Sequence, residues 1–564
     1  MKKPGNKPVN ITKENDLKSY LIIALVAFAA YANTLLNDFV YDDEPLVTSD
    51  SSITNISNIP KFFTGQEGYN QVFVWFYRPI VSSSFSIDYA VWKFNPAGFH
   101  LTNILLNLIN CLLLYKFLKI VFRHEKKTKK SSVLPHVLLI GTLLFAVHPV
   151  HTEAVSWISG RTDMLAFTFY IASFMSYLQS AEEVNSFNRS IKVLLTGLFY
   201  FLSLFAKEVS ITLPAAIILY DLIVKRHSFK TILKGKIGVY SILLLVSILY
   251  LVIRWIVLKD LPSSERSYYF YGKDFSTAFL TMSQTIPLYL RLMIFPFGLL
   301  YQYNNHLPYT GSFFGPGVVM AFVLVIILSV LTVYFYKKNS LISYSIIFFF
   351  LTLLPVMNIF PTSNLAAERF LYIPSISLIL VLVYTGFKFE PGKYQTSFFT
   401  ASLAIILIFT VLTVSRNADW KNNDRLYLSA EDKPGLVVFV NIGNLYTQRK
   451  QYDKAEMYYR RAIQLKDDDP IANNNFGRVF MLEGRYDSSY YYITKAYNYD
   501  TLNPEPRFTL AIMYALSDRT ADAVNEIEKL QKITPNYKNS GQLLVQLKSQ
   551  LQKNSEYQFQ EDHK

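Results

Sequence analysis

The stretch SYLIIALVAFAAYANTLLNDFVYDDE, residues 19–44, sets the class of fold. Residues 19–36 carry no charge, and a spanning helix needs about 20 mostly apolar residues. Three acids, Asp42, Asp43 and Glu44, follow just beyond the run. Desolvating a carboxylate is costly, so a cluster beside a lipid edge is either left in water or put to use. No small-residue cleavage site of the A-x-A kind follows the apolar run, so it reads as a retained first helix and not as a signal peptide.

The same pattern recurs along the chain. Of 564 residues, 51% are hydrophobic and 17% are charged, against roughly 25% charged in soluble domains. With 40 Tyr and 44 Phe, this composition describes a polytopic membrane protein with aromatic-rich interfaces. The net charge of +14 comes from short basic clusters between apolar runs. That is the positive-inside pattern, and it argues against nucleic acid as a partner. Cys111 is the sole cysteine, so no intrachain disulfide forms.

Eleven spans are expected, at 19–36, 98–121, 133–148, 162–180, 190–206, 209–224, 237–257, 317–336, 341–357, 370–387 and 397–414. Gln284, Pro287, Arg291 and Pro296 interrupt the run 276–300, which reads as re-entrant or interfacial. The basic clusters lie in the N-terminal segment, in RHEKKTKK, in KRHSFKTILKGK, at Lys337–Lys338 and in KFEPGK. All fall on the cytoplasmic side if the N-terminus is inside and 276–300 does not cross.

The apolar runs end near residue 430. Gly443, Gly477 and Ala511 are spaced by 34, as are Ala455, Ser489 and Ala523, and Pro470 and Pro504. This period, with small residues where paired helices touch, is the tetratricopeptide signature. Three repeats are predicted over 436–538, with a capping helix at 540–552. The expected organisation is a basic cytoplasmic N-terminus (1–18), a membrane domain (19–430, with a large first outer loop at 37–97), a repeat domain (431–552) and a polar tail (553–564). The fold class is all-α.

Ionisable residues gather at one set of span ends. LFAVHPVHTEAVSWISGRTDML (144–165) holds His148, His151, Glu153 and Arg161. Lys207 and Glu208 lie in FAKEVSITLP, and Glu368 and Arg369 in AAERFLYIPS. Ionisable residues at membrane depth line water-filled cavities or active sites, although any one taken alone is as readily a snorkelling interfacial charge. Cations recruit phosphate, Arg through a bidentate fork, and a carboxylate can take a proton from an attacking hydroxyl. Together they suit a phosphorylated leaving group and an acceptor hydroxyl at the outer membrane face. A second option is a divalent metal held by His148, His151 and Glu153, with Pro149 working against the helical spacing this requires. No cofactor is otherwise indicated.

The motifs NDFVYDDE, FYRPI, GFHLTNILLNL, LFAVHPVHTEAVSWISGRTDML, AKEVSITLP, AERFLYIPS and RNADW, followed by the repeats, resemble the transmembrane and tetratricopeptide-repeat-containing O-mannosyltransferases. These belong to the GT-C class of membrane glycosyltransferases. The resemblance implies transfer of mannose or a similar sugar, with inversion, from a polyprenyl-phosphate donor to Ser or Thr of extracytoplasmic proteins. It implies that Asp42 or Asp43 acts as base and that Arg161, Lys207 and Arg369 lie on the phosphate side. It places Glu153, Glu208, Glu368, His148 and His151 on the acceptor side or behind it. The repeats would engage acceptor proteins or peptides, and membrane lipids would surround the spans. With only about three repeats and a short opening, the chain resembles a bacterial relative. That implies a bacterial inner membrane with periplasmic repeats, or the endoplasmic reticulum for a eukaryotic chain. The rival reading is a non-catalytic membrane anchor that displays the repeats as an assembly scaffold.

Overall fold

The computed structural model describes residues 13–66, 77–123, 133–258, 274–304, 307–358, 364–389, 393–433, 435–499, 501, 503–534 and 537–561. Most of the RHEKKTKK cluster, half of KFEPGK and part of the first loop lie outside these residues. The described chain divides into two compact units, with the boundary in the main chain between Asn422 and Asn423.

The first unit is a bundle of helices. These are α1 (Lys13–Tyr31), α2 (Pro79–Trp92), α3 (Pro96–Val121), α4 (Leu134–Ala146), α5 (Arg161–Glu182), α6 (Ser186–Ala206) and α7 (Leu213–Leu219). They continue as α8 (Phe229–Leu258), α9 (Phe275–Ser283), α10 (Thr285–Ile294), α11 (Pro316–Lys338), α12 (Ser340–Leu353), α13 (Ile376–Lys388) and α14 (Lys393–Asn417). Six described helices are long and apolar enough to cross a membrane, or seven if the bent pair at 134–156 is one span. The chain is a multi-pass membrane protein.

Six or seven is fewer than the eleven expected. The other expected spans are helical but do not meet that standard. α12 and α13 are short, α7 breaks into a π turn at Tyr220–Val224, and α5 is diluted by Thr168, Ser173, Ser176, Gln179 and Ser180. The interrupted run 276–300 forms the two short helices α9 and α10, neither long enough to cross.

Small residues let the bundle close. A Cβ on Gly141 of α4 would meet Val383 of α13 at 2.5 Å, and one on Gly197 of α6 would meet Ile242 of α8 at 2.6 Å. Close backbone approach at small residues is how helices associate where lipid offers no hydrophobic drive. Amide side chains add ties between helices. Asn110 of α3 donates to the Met164 carbonyl of α5 at 3.0 Å, and Asn417 of α14 donates to the Ala30 carbonyl of α1 at 2.8 Å.

The second unit holds α15 (Leu436–Gln448), α16 (Tyr452–Leu465), α17 (Pro470–Leu482), α18 (Tyr486–Tyr499), α19 (Pro504–Leu516), α20 (Thr520–Ile533) and α21 (Ser540–Glu561). The starts of α15, α17 and α19 fall at the 34-residue period, as do those of α16, α18 and α20. The chain ahead of the repeats belongs to this unit as well. Arg449 pairs with Asp424, and the Tyr458 hydroxyl bonds to Glu431. The small residues mark helix contacts: a Cβ on Gly477 would lie 2.6 Å from Ile493 and 3.1 Å from the Ser489 carbonyl.

Overpacking such a contact costs about 1–3 kcal/mol. Gly477→Leu in the full chain is therefore expected to lower the unfolding temperature of the repeat unit and speed its cleavage by protease. An unchanged melting profile would contradict this packing.

Candidate functional site

The site is built where the ends of α1, α6 and α14 meet the beginnings of α3 and α5. Past α1, Asn37 donates to the Asn417 carbonyl at 3.2 Å, and the Asp38 amide donates to the Lys421 carbonyl at 2.8 Å. This fixes the start of the first loop. Tyr41 then takes a left-handed backbone, φ 57°, and the chain turns sharply so that Asp42 and Asp43 face different surroundings.

Asp43 is fully buried and fully engaged. One carboxylate oxygen accepts from the Val40 amide at 3.0 Å. The other accepts from the Ser159 amide at 2.8 Å and the Ser159 hydroxyl at 2.5 Å. Burial pushes its pKa up to about 6, against the opposing pull of the Ser159 and Val40 hydrogen bonds and of Arg161. Asp42 is half-buried, and among the described residues its carboxylate accepts no hydrogen bond and forms no ion pair. Burial pushes its pKa up to about 7. Arg369 opposes the rise, while Asp43 and Glu153 add to it.

Three cations stand behind the acids, each with a carboxylate. Glu153 grips Arg369 by the guanidinium and accepts from its backbone amide at 2.9 Å. Burial disfavours the Arg369 charge, but Glu153 and Asp163 together overcome it and hold its pKa above the usual value. Lys207 reaches Asp163 at 2.6 Å. Burial lowers the Lys207 pKa against that partner's pull. The Phe370 ring lies close to both, 5.1 Å from the Arg369 guanidinium and 4.9 Å from the Lys207 ammonium. Arg161 is different. It is fully buried and directs its donors to Asp88 at 2.5 Å, Asn103 at 2.9 Å, the Phe99 carbonyl at 3.0 Å and Ser84 at 3.3 Å. Its fork joins α2, α3 and α5 and is largely spent within the protein.

A second charged group lies at the α6 end. Arg78 clasps Glu208 with two hydrogen bonds, of 2.8 and 3.2 Å. Burial would raise the Glu208 pKa, but Arg78, Arg254 and Lys207 overcome it and hold the carboxyl far below its ordinary range. Arg254 was not singled out in the sequence, although an arginine inside the apolar run of α8 is the sort of residue that marks a function. Asp88 and Ser159 were missed because only the folded chain shows their partners.

Glu368 and the two histidines serve the backbone. Glu368 is buried, accepts from the Leu300 amide at 2.7 Å and lies 3.5 Å from Arg416. His148 pairs its Nε2 with the Met293 carbonyl at 2.9 Å and caps Val150 through Nδ1 at 3.3 Å. His151 pairs Nδ1 with the Phe145 carbonyl at 2.9 Å and Nε2 with Ser375 at 3.2 Å. They sit where α4 breaks by 48° into the short helix leading to Ser156, a place where backbone groups lose their helical partners. The donor set does not fit a metal: each ring nitrogen is engaged, and among the described residues no group of three His, Cys, Asp or Glu could hold an ion.

Membrane-length helices, charge-lined helix ends and a tetratricopeptide solenoid together make this an all-α multi-pass membrane protein with an attached repeat unit. The tetratricopeptide-repeat family model matches residues 437–469. Over most of its length the chain is similar to protein O-mannosyl-transferases, the relatives its motifs resemble. Protein O-mannosyl-transferase TMTC3 of Mus musculus is 24% identical, over 82% of this chain and 53% of that protein. Tmtc3 of Drosophila melanogaster is 25% identical, over 84% of this chain and 58% of that one. TMTC4 of Homo sapiens is 25% identical, over 78% and 65%. The chain thus spans little more than half the length of the first of these. Among solved structures, ArnT from Cupriavidus metallidurans bound to undecaprenyl phosphate covers 92% of this chain and 80% of its own, at 12% identity and a TM-score of 0.41.

The two aspartates are expected to separate in stability. Asp43→Asn puts a donor where an acceptor is needed, a loss of about 1–3 kcal/mol for an unsatisfied buried partner. Asp42 has a raised folded pKa, so the stability it contributes is present below about pH 4 and is lost as pH rises through 7. Asp42→Asn should therefore melt at or above the wild-type temperature at pH 8. Thermal unfolding at pH 5 and pH 8 checks both, and equal behaviour of the two variants would contradict this division.

Proposed function

We propose that this protein is a membrane glycosyltransferase of the GT-C kind. It moves mannose or a similar sugar from a polyprenyl-phosphate donor to Ser or Thr hydroxyls of extracytoplasmic proteins. The observation that carries this reading is the Asp42 carboxyl: without a hydrogen bond among the described residues, half-buried, poised near neutral pH, and within the field of Arg369 at converging helix ends. A general base works best with a pKa near the working pH. The similarity to protein O-mannosyl-transferases supports the class of reaction.

In this reading the acceptor hydroxyl oxygen attacks the anomeric carbon from the face opposite the phosphate, and Asp42 takes the hydroxyl proton. The bond from the anomeric carbon to the phosphate oxygen breaks, and polyprenyl phosphate leaves with the bonding electrons. Inversion follows from the single displacement. Arg369 and Lys207 stabilise the charge that grows on the phosphate, with Arg78 and Arg254 at the edge where a lipid would enter. Asp43 holds the loop and does not touch the proton. Arg161 also serves the scaffold and not the phosphate. Glu153 and Asp163 orient the cations. The site faces away from the cytoplasm, and the repeats engage the acceptor protein.

Sugar transfer in membranes, with labelled polyprenyl-phosphate sugars and extracytoplasmic protein acceptors, tests the reading. Asp42→Asn is expected to lower transfer by about a hundredfold or more, with the protein still folded. The wild-type rate should climb with pH through about 7 as Asp42 loses its proton. An Asp42→Asn variant as active as wild type would sink the assignment.

A further inference from the structure

Two basic clusters that stand 110 residues apart in the sequence meet in the fold. Arg226 lies between the π turn at Tyr220–Val224 and the start of α8. Its Nη2 donates to the Tyr336 carbonyl at 3.2 Å and to the Lys337 carbonyl at 3.1 Å. Both carbonyls belong to the last turn of α11, where the helix itself offers them no donor. Arg226 reaches them from a left-handed backbone, φ 55°, which an arginine keeps only where its surroundings hold it. The start of α8 and the end of α11 are pinned together by this contact. It gathers Lys225, Arg226, Lys230, Lys337 and Lys338 at one end of the bundle. Residues 213–224, α7 and its π turn, separate them from Lys207 and the candidate site.

The positive charge of this patch is not offset. Arg226, Lys230, Lys337 and Lys338 are exposed and Lys225 is half-buried. Among the described residues none of the five forms an ion pair. Other cations of the bundle have taken the nearby acids: Lys119 pairs with Asp16, Arg123 with Glu182, Lys192 with Glu183 and Lys236 with Asp221. Asp221 is buried and also accepts from the Tyr177 and Tyr240 hydroxyls. Arg226 spends only Nη2 on the helix end, which leaves its Nε and Nη1 donors. Exposed rings border the cations. Phe229 is 61% exposed, Tyr334 52% and Tyr336 46%, and Lys338 donates to the Tyr334 hydroxyl at 2.6 Å. Aromatic side chains of this kind gather where a membrane meets water.

We propose that this patch binds the phosphate headgroup of an anionic phospholipid. The Arg226 guanidinium supplies planar donors suited to phosphate oxygens, and the four lysines supply point charge. The bordering rings carry the glycerol and the upper acyl chains, which a soluble phosphate lacks. Basic pockets between spanning helices recognise such headgroups. A lipid seated there holds α8 against α11 and stabilises the folded bundle. The site takes no part in the chemistry at Asp42.

The full-length protein is placed in nanodiscs of phosphatidylcholine, with or without phosphatidylglycerol. Thermal unfolding and binding of a fluorescent phosphatidylglycerol are then read. Wild type is expected to unfold at a higher temperature with phosphatidylglycerol, while inorganic phosphate added to phosphatidylcholine discs gives no rise. Lys337→Gln/Lys338→Gln keeps the carbonyls that Arg226 grips. It is expected to weaken phosphatidylglycerol binding about tenfold and to lose most of the rise, with unfolding in phosphatidylcholine unchanged. Lys93→Gln removes an exposed cation next to α2 and should bind within about twofold of wild type. The proposal fails if wild type gains no stability from phosphatidylglycerol, or if the double variant binds it as wild type does. Equal weakening by Lys93→Gln would reduce the patch to the ordinary charge of a membrane edge. A rise with inorganic phosphate as large as with the lipid would mean a soluble anion site and overturn the lipid assignment.

Discussion

The Asp43 carboxylate joins two pieces of chain that would otherwise move apart. Through Val40 it closes the turn after α1, and through Ser159 it ties that turn to the segment between the broken α4 span and α5. Asp42 and Trp157, each within two residues of a group bonded to Asp43, are placed by this tie. A buried carboxylate is tolerated only where donors satisfy it, and Asp43 has three. Its neighbour has none among the described residues. One acid does the holding, and the other stands without a hydrogen bond from the described residues.

The buried ion pairs around them have a related role. Arg161–Asp88, Lys207–Asp163 and Arg369–Glu153 each link different helices or loops. Desolvation offsets most of the attraction in such pairs, so their value lies in fixing position more than in stability. They differ in how much solvent access they keep. Arg161 is sealed, while Arg369 keeps a partly exposed edge and Arg78–Glu208 more than that. The charge that remains available is therefore concentrated on one side of the site.

Much of the fold was legible in the sequence because its causes are local. Apolar runs gave the longest helices, and the 34-residue spacing of Gly443, Gly477 and Ala511 gave the helix pairs. Helices such as α12 and α13 are shorter than the apolar runs that contain them, because hydropathy registers apolarity more readily than where a helix ends. The acidic pair was legible as a pair but not as two surroundings, because the left-handed residue Tyr41 lies directly ahead of it and the Asp43 carboxyl turns inward to Ser159. Arg161 looked like a phosphate ligand until Asp88, far away in the chain, came to meet it. The histidines looked like candidate ligands until the break after α4 exposed carbonyls that needed donors.

The regular starts of α15, α17 and α19 bear on how such a chain can change length. Within each pair the two helices touch at small residues set at the same period, so one whole pair could be duplicated or lost while the others kept their own packing. Insertions in whole repeats would lengthen the solenoid without altering any residue of the bundle. The length of the repeat unit and the make-up of the bundle could then change independently of each other.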